Sequence, residues 1–115
     1  VIRSVVVSLL TGWQEDPFYY DFDDPEEYNH SIEEAGEQLQ LPADLISDIR
    51  AWDAEYQATY NPDEFHKSGF SSPEIAAAWR ERGKELAARI KRESPVTASV
   101  DYQANGLIPK GSCMF

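Results

Sequence analysis

Carboxylates are the side chains in this sequence best placed for chemistry, and Asp21-Phe22-Asp23-Asp24 packs three of them into four residues. Hard oxygen ligands at that density suit Mg²⁺ or Ca²⁺, with Glu27 in reach as a fourth. The spacing rejects an EF-hand: if Asp21 opened the loop, Pro25 would occupy its fifth position and Glu26 the sixth, where the turn requires glycine. A looser carboxylate site stays open, set against a solvated acidic loop. Zinc lacks its ligands, because His30 and His66 stand alone and Cys113, the single cysteine, lies next to the C-terminus. The two histidines read as surface residues. Nucleophilic catalysis has no nucleophile elbow, and neither a Gly-rich phosphate loop nor a dinucleotide fingerprint is present. Among 21 acids no pair stands out for glycosidase chemistry. The sequence therefore predicts a non-enzymatic protein without a cofactor.

Charge says more than motif. Residues 1–66 carry 16 acidic and 2 basic side chains, and residues 67–115 carry 5 acidic and 8 basic, within a net charge of −11. A field of that sign repels nucleic-acid backbones and anionic bilayers and favours a basic protein partner. The stripe Arg80, Lys84 and Lys91 invites a nucleic-acid reading, but Glu81, Glu85 and Glu93 interrupt it and the acidic half of the chain offers counter-charge. Ten acids fall between Glu15 and Glu37. The same segment holds aromatic rings, and rings among acids read as a surface stretch pinned down by its apolar side chains.

These residues must be positioned by a fold, and the clearest element is Pro42–Tyr60. Leu45, Ile49, Trp52, Tyr56 and Tyr60 recur at helical spacing on one face, with Pro42 at the start and Pro62 enforcing the stop. A second long helix opens at Ser72-Pro73 and ends before Ser94-Pro95, with Ile75, Trp79, Leu86 and Ile90 as its apolar stripe. Gly83 stands where a bulky residue is expected, which predicts a close approach at that point, either for Trp79 to lie flat or for the first helix to come near through Trp52. Ile2–Leu10 reads as a strand buried on both faces, and Val96–Tyr102 as a half-buried one. Asp24-Pro25 could open one helical turn, and Ser31 a short helix that Gly36 stops. Phe65 and Phe70 could anchor the link between the long helices. Residues 103–115 read as a loosely ordered tail. The fold class is thus α+β in a single domain of residues 1–115: two long amphipathic helices on a small sheet, in the order strand, acidic segment, helix, helix, strand. The six-residue apolar run Val5–Leu10 is too short to span a membrane and has no cleavage-site pattern after it, which predicts a soluble cytoplasmic protein.

The run Leu41-Pro42-Ala43-Asp44-Leu45, then Ala51-Trp52, Ser72-Pro73, Trp79, Gly83, Leu86-Ala87, Arg89-Ile90 and Val96 to Tyr102, resembles a pattern in small uncharacterised bacterial proteins of this length. Some small acidic proteins of that shape are immunity partners of secreted bacterial toxins. The resemblance covers residues 41–102, leaves out the acidic segment, and implies the fold and a toxin-immunity role without naming any binding residue.

Taken together, the sequence predicts an acidic protein-binding module, an immunity protein or inhibitor of a basic protein. Its candidate contact residues are Tyr19, Tyr20, Asp21, Asp23, Asp24, Glu26 and Glu27. Tyr19 and Tyr20 are adjacent, so in an extended backbone one packs inward and the other is left for a partner. Two alternatives remain: a DNA mimic, which needs carboxylates spread at about one charge per 1.7 Å of duplex axis, and the carboxylate metal site.

Overall fold

The computed structural model describes residues 4–22, 26–64 and 68–115. Val5–Leu10 forms β1, one of the two inner strands of a four-stranded sheet that also contains β2 (Phe18–Tyr19), β3 (Asn29–His30) and β4 (Thr97–Ala104) in the order β3-β2-β1-β4. β1 pairs antiparallel with β2, placing Leu9 opposite Phe18 and Ser8 opposite Tyr19, and parallel with β4, placing Val7 opposite Val100. The run rich in β-branched residues predicted burial on both faces. Instead Val5, Val7 and Leu9 are buried while Val6 between them is 57% exposed. The reason lies in the layers: the buried sheet residues share one core cluster with the helices, so the helices cover a single face and the other is left open.

Ile32–Gln38 forms α1, capped by the Ser31 hydroxyl accepting the Glu34 N–H. Gly36 does not stop it. It lies inside the helix, buried, where a Cβ would come within 2.6 Å of the Ile46 side chain, so its small size serves packing against the next helix rather than termination. That helix, α2, spans Ala43–Gln57 and buries Leu45, Ile49, Trp52 and Tyr56, as their spacing predicts; Tyr60 falls beyond its end. α3 spans Pro73–Glu93, with the Ser72 hydroxyl accepting the Ile75 N–H. Trp79, Gly83, Leu86, Ala87 and Ile90 are its buried residues, whereas Ile75 is 51% exposed, one turn ahead of the point where packing begins. At Gly83 a Cβ would stand 2.5 Å from the Trp52 ring and also against the Tyr102 hydroxyl. The expected close approach is that of Trp52.

After β4 the chain turns and comes back. Tyr102 N–H donates to the Cys113 carbonyl at 2.9 Å, and Val100 and Phe115 exchange backbone bonds of 3.0 and 2.9 Å. Cys113 and Phe115 pack against the core, and the Asp101 carboxylate accepts the Gly111 N–H. Part of the stretch read as a tail therefore lies along the outer edge of β4 and satisfies groups an edge strand would leave open. The Asp24-Pro25 turn and the Phe65 anchor lie outside the described residues; Phe70 does reach the core, its ring 5.2 Å from that of Trp79.

Candidate functional site

Two short strands and the ring-rich loop joining them hold the predicted contact residues. Pairing of β2 with β3 sets Phe18 opposite His30 and Tyr19 opposite Asn29. Asn29 ties the entry to β2 by donating from its amide to the Asp16 and Phe18 carbonyls at 2.7 and 3.1 Å. Further back, Trp13 stacks on Tyr56 at 5.4 Å and donates its indole N–H to Thr59, and the Gln57 side chain bridges the Gly12 carbonyl and the Gln14 N–H. The start of the acidic segment is thus fastened to the C-terminal end of α2 by rings and hydrogen bonds.

The tyrosine pair divides as extended geometry requires. Tyr20 is fully buried, donates its hydroxyl to Gln38 at 2.7 Å, and stacks on the His30 ring at 3.9 Å. Burial, and then the Glu34 charge, push its hydroxyl far above the usual phenol range. Tyr19 turns to the other face. Its ring leans on Tyr28 at 5.9 Å and its hydroxyl lies 3.5 Å from the Glu15 carboxylate; partial burial, and then that carboxylate, raise its pKa. Asp21, Glu26 and Glu27, close by in the chain, are exposed, while Asp23 and Asp24 lie outside the described residues.

His30, expected at the surface, is buried. Its Nε2 donates to the Tyr20 carbonyl at 2.9 Å and its Nδ1 meets Glu34, so it locks the root of the acidic loop onto α1. Nothing in the sequence around it carries periodicity, which is why its burial was not legible. Val6, Tyr28 and Met114, exposed apolar residues, were likewise missed: Val6 is hidden inside an apolar run, and Met114 in the presumed tail.

Elsewhere the segregated charges meet each other. Arg89 on α3 reaches Asp44 at 2.9 Å and Asp48 at 3.0 Å on α2, as well as Glu93 on its own helix, and Arg82 pairs with Glu55. The hydrogen bond from Arg89 lowers the Asp44 pKa. A groove of about 300 Å³ between α2 and α3, floored by Trp52 and Leu86, is walled by these same ion pairs. Among the described residues no three His, Cys, Asp or Glu side chains gather to hold a metal. Among them too, no helix is long and apolar enough to cross a membrane.

Exposed at the β2–β3 end, among the described residues, are the rings of Phe22 and Tyr28 and the carboxylates of Asp21, Glu26 and Glu27, side-chain types that serve protein contacts. Residues 6–105 match the family model described as Serratia CdiI immunity protein-like. The chain belongs to this family. The match begins in β1 and ends at the close of β4, so the immunity-protein-like region takes in the acidic segment that the resemblance over residues 41–102 left out. Among curated proteins no match is found.

Proposed function

We propose that this chain is a cytoplasmic immunity protein, a non-catalytic inhibitor that binds a basic toxin through the β2–β3 end of its sheet. The observation that carries the reading is Tyr19, turned outward against Tyr28 with exposed Asp21, Glu26 and Glu27 close by in the chain. Acidic side chains steer a basic partner, and large rings supply the energy at the centre of a contact. Membership of an immunity-protein-like family supports the toxin as the partner. A DNA mimic would need its carboxylates spread over a long surface, whereas Asp44, Asp48 and Glu55 of α2 are engaged by Arg89 and Arg82. In this proposal Asp23 and Asp24, neighbours of Asp21 in the sequence, also help steer the partner.

Co-expression with the toxin encoded beside its gene tests the reading. The chain restores growth and is retained on the immobilised toxin at low salt. Loss of both protection and retention sinks it.

A further inference from the structure

Among the described residues, the face of the sheet turned away from the helices stands open at Val6 and Met114, and its composition is that of an interface. Strand register fixes which side chains share it. Asn29, Tyr19, Ser8, Asp101 and Met114 stand opposite one another in succession across β3, β2, β1, β4 and the returning C-terminal segment, and Val6 lies beside Ser99. Five chain segments abreast span roughly 20 Å. Val6 is 57% exposed, Met114 49%, and Tyr28, laid against Tyr19, 44%. These are three of the six large apolar residues found exposed among the described ones. The acid on this face is withdrawn: Asp101 is buried, its carboxylate taken up by the Gly111 N–H.

We propose that this open face, centred on Val6, Tyr19, Tyr28 and Met114, is the surface on which a basic protein docks; the inference rests on the immunity reading and specifies its contact surface. An apolar centre without presented charge and a charged rim is how stable contacts are built. The rim here is one-sided. Glu15, Asp16, Asp21, Glu26 and Glu27 are exposed about the β2–β3 end, and the exposed Lys110 adjoins Gly111 at the other. The partner's basic stretch therefore lies over Tyr19 and Tyr28, and its apolar side chains over Val6 and Met114. A second copy of this chain fits poorly, since it brings another net charge of −11 and the same acidic rim. Strand addition at the β4 edge is blocked, because residues 113 and 115 already occupy it. The contact is made face-on.

The test titrates the adjacent-gene toxin against the purified chain and surface variants at physiological salt, with thermal unfolding of each variant in parallel. Val6→Lys and Met114→Lys weaken binding by about 30-fold or more and leave the unfolding midpoint in place. Ile75→Lys and Leu107→Lys, exposed apolar residues outside this strand register, bind as the wild type does. Should Val6→Lys unfold the domain, Ser99→Lys beside it gives the same reading. Normal binding by the Val6 and Met114 variants, with loss on neutralising the acids, overturns the open face and leaves the immunity reading standing. A wild-type chain that does not bind the toxin overturns both. A concentration-dependent dimer in sedimentation, abolished by Val6→Lys, would assign the face to self-association and overturn the proposal.

Discussion

Trp52 and Trp79 clasp each other: each indole N–H donates to the other's backbone carbonyl, at 3.0 and 2.9 Å, with the rings stacked 4.7 Å apart and 5° from parallel. The pair joins α2 to α3 without a buried charge, and both polar ring atoms are satisfied in the core. Replacing either by Phe removes one hydrogen bond and leaves a void beside a ring that cannot follow, a loss of about 2 kcal/mol. Because the two act together, Trp52→Phe and Trp79→Phe are expected to be non-additive by about 0.5 kcal/mol or more in a denaturant double-mutant cycle. Additive losses would show that the stacking contributes nothing of its own.

Gly83 is what lets this clasp sit against β4. An added Cβ has no room, since the Trp52 ring is rigid and the Tyr102 hydroxyl is held by the Arg80 carbonyl at 2.8 Å. Overpacking costs about 1–3 kcal/mol, against about 1 kcal/mol recovered in helix propensity. Gly83→Ala is therefore destabilising despite its better helix former, which thermal unfolding reads directly.

Tyr19 and Tyr20 are expected to separate fold from contact. Tyr20→Ala removes a fully buried ring and is expected to cost about 3–5 kcal/mol, and Tyr20→Phe, losing only the bond to Gln38, about 1 kcal/mol. Tyr19→Ala leaves the unfolding midpoint nearly unchanged and weakens toxin binding by about 2 kcal/mol or more. Calorimetric titration beside chemical denaturation distinguishes the two. A Tyr19 variant with wild-type affinity would remove this ring from the interface.

The elements legible in the sequence were those in which one pattern decided everything. Leu45, Ile49, Trp52 and Tyr56 could only be one helix face, Ser72-Pro73 only a helix start, and Gly83 only a close contact. Val5-Val6-Val7 has no alternation to read, so the side open to solvent was set by where the helices lie, which is tertiary information. Gly36 carried two meanings, helix stop and close packing, and Ile46 selected the second. The outward turn of one tyrosine followed from strand geometry, but which one depended on Gln38 and His30 waiting on the inner side. Residues 113–115 gave no local signal at all, because their partner is β4 rather than anything nearby in the chain.

Asp53 predicts a pH effect with a definite sign. Burial raises its carboxyl pKa, outweighing the hydrogen bond from Gln57, and the Asp16 charge adds to the rise. A carboxyl whose folded pKa exceeds its unfolded value, about 3.9, holds its proton more tightly in the folded state, so stability falls as pH climbs from the unfolded to the folded value. Asp53→Asn is thus expected to melt higher than the wild type at pH 7. The advantage shrinks on acidification and disappears below the unfolded pKa. A variant less stable at neutral pH would mean that the Gln57 bond dominates.

The acidic rim is expected to act on the rate of encounter. Exposed carboxylates are screened within about 8 Å at physiological ionic strength, so their effect reaches a partner mainly before contact, whereas apolar contacts govern how long it stays. Replacing Asp21, Asp23, Asp24, Glu26 and Glu27 with their amides should slow association with a basic toxin by about 10-fold or more at low salt. The dissociation rate changes little, and the difference in association closes as salt is raised. Stopped-flow or surface-binding kinetics across a salt series reads both constants. If the amide variant instead dissociates faster at every salt concentration, the carboxylates make close contacts in the bound state, and the centre of the interface lies on the loop rather than on the open sheet.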